Sequence, residues 1–233
     1  MRIVKDLHTH TYYSHGKGSP RENVLRALEL GLSGIAITEH AGGNIWFGVR
    51  GRKLERLNDE IAALRREFEG RIEVYNGLEC NVTGFGKSDV PKDRENYGVI
   101  LLGYHKGVAP VNGFNLHILS ESFGGKSTPR RNTESIMAAA EKGRVDAISH
   151  PGLYLEVDIP YMAECCRQLG VLMEINGARV TMTREELIAA RDKGAKFIIG
   201  SDAHTPDRIG DCAKAIEAAR EAGVLESVVN LEL

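Results

Sequence analysis

Short apolar runs rich in Val and Ile alternate with amphipathic stretches from one end of the chain to the other, the pattern of repeated βα units around parallel strands. Seven runs are predicted as strands: Ile3–His8, Gly34–Thr38, Ile72–Glu79, Gly98–Tyr104, Val145–His150, Val171–Ile175 and Lys196–Gly200. Each is apolar enough to be covered on its outer face. The intervening helices carry start signals. Ser19-Pro20-Arg21-Glu22 joins an N-cap serine, a proline in the first turn and a capping-box glutamate, and Thr183-Arg184-Glu185-Glu186 repeats the box. In the second helix Leu54, Leu57, Ile61, Leu64 and Phe68 recur at three- and four-residue spacing, so that stripe faces a core while Arg65, Arg66 and Glu67 stay wet. Seven strands with seven crossovers predict an α/β fold closed, or nearly closed, into a barrel. The exception to short connections is Lys106 to about Asn132, with Pro110, Pro129 and a basic tail at Lys126, Arg130 and Arg131; connections of that length in a compact domain are functional or mobile.

Composition narrows the class. The 233 residues suit one barrel, so 1–233 is read as a single domain. With 30 Lys+Arg against 32 Asp+Glu, a net charge of -2 provides no global attraction to nucleic acid, and a dedicated nucleic-acid binder is disfavoured. No apolar stretch at the N-terminus is long enough for a signal peptide or a membrane helix, so a cytoplasmic protein without a membrane partner is expected. Cys80, Cys165, Cys166 and Cys212 lack CxxC spacing and read as free thiols. No pattern speaks to an oligomeric state.

The histidines carry the chemistry. Of His8, His10, His15, His40, His105, His117, His150 and His204, all but His117 fall at the end of a predicted strand or just after one. In (β/α) barrels those ends converge on one face, so residues distant in sequence meet there; Glu79 and Asp202 join them. A lone strand-end histidine is usually a hydrogen-bonded structural residue, but seven in phase overturn that reading. His8 and His10, two apart on one strand, project to the same face and can grip one ion. Imidazole with carboxylate suits zinc, manganese or iron, whereas calcium and magnesium prefer oxygen. Seven imidazoles and two carboxylates exceed one tetrahedral ion and fit two or three divalent transition-metal ions.

Six segments, Asp6-Leu7-His8-Thr9-His10, Thr38-Glu39-His40, Gly77-Leu78-Glu79, Gly103-Tyr104-His105, Ser149-His150-Pro151 and Ser201-Asp202-Ala203-His204, in this order, resemble the motifs of the PHP (polymerase and histidinol phosphatase) family over nearly the whole chain. The resemblance implies a distorted seven-stranded (β/α)7 TIM-like barrel holding up to three metals. It implies that His8, His10, Glu79 and Asp202 hold one, His15, His40 and His204 a second, and His105, His150 and bridging Glu79 the third. Every position is filled, which favours an active phosphoesterase.

The expected mechanism is in-line attack on phosphorus by a metal-bridging hydroxide, since a bound water's pKa can fall from about 15.7 to about 7. The leaving oxygen needs a proton or a metal; a metal-bound water or a strand-end His or Asp can serve, with Asp202 and His204 the candidate catalytic residues. Lys17 and Arg179 are the candidate phosphate clamps, with Arg50, Arg130 and Arg131 as weaker alternatives; solvated surface charge explains each equally well. Glu39 is read either as orienting a ligand or as a strand-end salt bridge, and His117 as a surface or packing residue. Trp46 and Phe47 are read as packing under their loop or as a substrate wall. The leading expectation is hydrolysis of a small phosphomonoester such as histidinol phosphate. A nuclease or phosphodiesterase acting on nucleotide or nucleic-acid ends is the runner-up, and a non-catalytic metal-binding regulatory module the third reading.

Overall fold

The computed structural model describes residues 1–108 and 128–232. In chain order the elements are β1 (Arg2–Ile3), β2 (Lys5–Asp6), α1 (Pro20–Glu29), β3 (Gly34–His40), α2 (Arg52–Glu67), β4 (Glu73–Gly84), β5 (Lys87–Ser88), β6 (Val99–Gly103), α3 (Pro129–Gly143), β7 (Ala147–Ile148), α4 (Ile159–Leu169), β8 (Leu172–Asn176), α5 (Arg184–Asp192), β9 (Phe197–Gly200), α6 (Ala213–Glu221) and β10 (Leu231–Glu232). Seven parallel strands pair in the order β2-β3-β4-β6-β7-β8-β9. They form a nearly closed barrel with helices between the strands, as the apolar pattern predicts.

Both capping boxes form, at Ser19 with Glu22 and at Thr183 with Glu186. Leu57, Ile61, Leu64 and Phe68 are buried on the inner face of α2, with Leu54 packed at its edge. A period of two sorts the strands: Ile100 and Leu102 of β6 face the helices, whereas Val99 and Leu101 join Ala36, Ala147 and Ile198 in a second cluster inside the barrel. That inner apolar layer gives the mouth a floor. The four cysteines are free. Among the described residues, no helix is long and apolar enough to cross a membrane.

Two strands depart from expectation. The first run divides: Ile3 pairs antiparallel with Leu231, while Asp6 pairs with Ile35 of β3. The third continues past Glu79 to Gly84 and turns back to pair with β5. The barrel's seam lies between β2 and β9, whose continuations meet at a single bridge, Thr9 with Ala203. Below it, side chains replace the missing ladder. Buried Asn230 donates to the carbonyls of Lys5 (2.9 Å) and Ile199 (2.7 Å) and accepts from the Ile199 N–H (3.0 Å). Asp6 accepts from the N–H groups of Ser201 (3.0 Å) and Gly210 (2.9 Å). Because an unmet buried backbone group costs about 1–3 kcal/mol, Asn230→Leu is expected to destabilise the protein by roughly 3 kcal/mol. Urea unfolding reads this as a lower midpoint at unchanged slope, and an unshifted midpoint would show that the seam does not depend on Asn230.

Candidate metal centre

All seven strand-end histidines, with Glu79 and Asp202, gather at the mouth. His8 and His10 follow β2, His40 ends β3, and Glu79 lies beside it on β4 at the register pair His40–Glu79. His105 follows β6, His150 follows β7, and Asp202 and His204 follow β9. The chain turns into the mouth in left-handed conformations at His150 (φ 30°) and Asp202 (φ 51°). Such conformations are rare for residues with side chains and concentrate at functional sites. Gly103 provides room for the rings, since a Cβ there would lie 2.5 Å from Ser149 Oγ and 2.9 Å from a His150 ring carbon.

Glu79 is the hub. Its Oε1 lies 2.7 Å from His150 Nε2, 2.9 Å from His105 Nε2 and 3.4 Å from His8 Nε2. Its Oε2 lies 3.1 Å from His40 Nδ1, not aligned for a hydrogen bond, and 3.5 Å from His10 Nε2. Asp202 Oδ1 approaches His10 Nε2 at 3.3 Å and His8 Nε2 at 3.6 Å. Donor atoms within 4.8 Å of one another form three groups: His8, His10 and Asp202; His10, His40 and His204; and His40, Glu79 and His105. His10 and His40 are each shared by two groups, whereas in the sets implied by the resemblance the shared residue is Glu79. His15 enters through its ring, 4.2 Å from that of His204 and 4.9 Å from that of His40.

The donor set fits divalent cations, and the surrounding hydrogen bonds say why. Asn81 gives its amide nitrogen to Asp89 (2.7 Å), so its oxygen faces His105 Nδ1 (2.9 Å), which must carry the proton. The bare Nε2 of His105 then faces the Glu79 carboxylate and, at 3.2 Å, His150 Nε2. His204 is fixed in the same way by the Asp202 carbonyl (2.8 Å) and His8 by Glu174 (2.7 Å), whose partner nitrogen sits 3.2 Å from His10 Nε2. Lone pairs facing lone pairs at these distances require positive charge between them, as an ion or as protons.

The ionisation equilibria express the same demand. Burial opposes charge on His8, His10 and His150, yet Glu174, Glu79 and Asp202 outweigh it for His8. Asp202, Glu39 and Glu79 do so for His10, which rises to about 9, and Glu79 does so for His150. Glu79 and Asp202 lie well below the usual carboxylate range because the imidazoles overcome burial. Burial and the neighbouring rings push His15 down to about 3 and lower His204, and burial outweighs Glu79 at His105, which falls to about 4.

The other expected residues divide. Lys17 and Arg179 are exposed at the rim, without ion-pair partners among the described residues; their backbones are tied to the His204 carbonyl (2.8 Å) and the Asn176 side chain (2.9 Å). Arg50 is held by the Gly42 carbonyl, and Arg130, in the first turn of α3, by Glu134 and the Tyr161 ring. Arg131 is exposed on the same turn. Glu39 is buried and accepts from Thr11 and Ser14 in the loop carrying His10 and His15, with His10 Nδ1 3.8 Å away. Trp46 is 66 % exposed and Phe47 39 %, the latter stacked on His15 at 4.4 Å, so neither is buried beneath the loop. His117 and Lys126 lie outside the described residues. Sequence reasoning missed Glu174 and Asn81, buried polar groups that hold the outer nitrogens of His8 and His105, and Asp89, which orients Asn81. The available signal was a glutamate inside the apolar strand Leu172–Asn176, since a buried charge requires a partner.

Fold and donor set together define a metal-dependent hydrolase of the α/β-barrel class. The chain belongs to the PHP domain family, whose model matches residues 6–221, and it is a metal-dependent phosphoesterase. A protein named probable phosphatase from Shewanella sediminis is 27% identical over 239 residues, covering 95% of this chain and 87% of its own. The DNA polymerase/3'-5' exonuclease PolX of Bacillus subtilis is 26% identical over 233 residues, 94% of this chain but 37% of that protein. Among solved structures, the fold is similar to histidinol phosphate phosphatase from Lactococcus lactis, crystallised with zinc, L-histidinol and phosphate. The TM-score is 0.63 at 18% identity, covering 97% of this chain and 94% of that one.

Proposed function

We propose that residues 1–233 act as one unit that hydrolyses a small phosphomonoester, with His8, His10, His15, His40, Glu79, His105, His150, Asp202 and His204 holding two or three zinc, manganese or iron ions. The observation that carries this reading is the convergence of five imidazoles within 3.5 Å of the Glu79 carboxylate, four of them with the outer nitrogen committed to a side-chain partner or left buried. When bound, such ions lower the pKa of water and offset charge developing on phosphoryl oxygens.

The chain's own groups do the rest. Arg179 and Lys17, exposed cations whose backbones are tied to Asn176 and to the His204 carbonyl, grip the outer phosphate oxygens. Asp202 and His204, with side chains 18% and 36% exposed against 1% for Glu79, are, together with exposed His15, donors that a substrate can reach. They are the residues proposed to move a proton to the departing oxygen. Phe47 and Trp46 offer an apolar wall for the alcohol half of the ester, and the Lactococcus lactis enzyme, whose alcohol carries an imidazole, is consistent with that use.

The test is phosphate release by the metal-loaded protein across a panel of phosphomonoesters, with a phosphodiester and oligonucleotide ends in parallel. Release from monoesters, strongest for ring-bearing alcohols, is expected. Turnover confined to oligonucleotide ends would transfer the assignment to the nuclease reading that the PolX relative favours. No turnover on any ester would end both.

A further inference from the structure

We infer that Glu174, outside the proposed ligand set, is the positioning residue that locks three strand ends of the metal centre together; the inference rests on the metal-site reading above. Glu174 lies on β8 and points into the barrel in phase with Leu172 and Asn176, fully buried. Both carboxylate oxygens are used. Oε1 accepts from His8 Nδ1–H at 2.7 Å, and Oε2 accepts from the His150 N–H at 2.8 Å and from Asn176 Nδ2 at 3.1 Å. The same Asn176 amide reaches Asp202 Oδ2 at 3.2 Å. One carboxylate therefore ties the ends of β2 and β7 directly, and the end of β9 through one intermediary.

Each contact has a consequence. Accepting from Nδ1 fixes the His8 tautomer and turns its bare Nε2 toward His10, Glu79 and Asp202. Accepting from the His150 N–H supports a backbone whose φ of 30° a side-chain-bearing residue does not hold unaided. The approach also depends on Gly200, where a Cβ would sit 2.7 Å from Glu174 Oε1 and 2.6 Å from His8 Cβ.

Only a carboxylate can do this, because every group around it is a donor. In Glu174→Gln one end becomes an NH2. If that end faces His150 and Asn176, donor meets donors. If it faces His8, the imidazole shifts its proton to Nε2 and blocks the nitrogen that would hold metal.

Zinc retained per chain is measured for wild type and E174Q after dialysis against graded chelator, together with the rise in Tm produced by zinc. The expected result is that one zinc equivalent binds about 10–100-fold more weakly in the variant, with a correspondingly smaller zinc-induced rise. A merely structural role would lower Tm with and without zinc and leave the rise and the retained zinc intact, which overturns the inference. Nitrogen NMR on the zinc-loaded wild type needs no variant and decides the matter even if E174Q fails to fold. A proton on His8 Nδ1 supports the assignment, and one on Nε2 overturns it. A wild type that retains no zinc at any chelator level is a different failure: it removes the metal-site reading itself and this inference with it.

Discussion

Glu79→Gln is expected to reduce kcat/KM by about a thousandfold or more, roughly 4 kcal/mol of transition-state stabilisation, with loss of at least one metal equivalent per chain. The reason is the sharing of one carboxylate. Oε1 serves His8, His105 and His150, and Oε2 serves His10 and His40, so no donor group around the mouth is far from it. An amide keeps the shape but removes the negative charge and turns one of those oxygens into a donor aimed at imidazole nitrogens. The His105 contact is especially unforgiving, because Asn81 and Asp89 already commit its Nδ1–H and the ring cannot adapt by exchanging tautomers. Metal content and turnover should fall together. A variant with full metal content and wild-type turnover would remove Glu79 from the centre of the site.

The parts of this arrangement that were legible in the sequence are those governed by period and position. His8 and His10 share a face because strand side chains alternate, and the remaining donors could be placed because βα repeats bring strand ends to one mouth. The capping boxes were equally readable, since all their partners lie within four residues. What escaped was chosen by three-dimensional closure. Asn230 is a C-terminal asparagine in one dimension and the replacement for a missing ladder in three. Glu174 holds a histidine 166 positions away, and Asn81, itself oriented by Asp89, holds one 24 positions away; no local spacing encodes those pairings. The split of the first strand has the same origin: the strand predicted from Ile3 to His8 is one run, but the barrel and β10 divide its hydrogen bonds.

Removing the metal should be as visible in stability as in activity. Free ligand at a thousand times its Kd stabilises the folded state by about 4 kcal/mol per site, so two tightly held ions contribute about 8 kcal/mol. For a chain of this size each kcal/mol moves Tm by roughly 2–4 °C. Chelator treatment is therefore expected to lower Tm by roughly 15–30 °C, and a one-ion site by about half as much. Recovery identifies the donors. Zinc, manganese or iron(II) should restore Tm, whereas calcium should not, because the mouth presents imidazole nitrogens around two carboxylates and calcium takes oxygen ligands. The number of equivalents at which Tm stops rising counts the ions independently of turnover. If chelator leaves Tm unchanged, or calcium restores it as well as zinc, then the facing lone pairs at Glu79 are satisfied by protons alone, and the raised pKa values of His8, His10 and His150 describe the working state of the site.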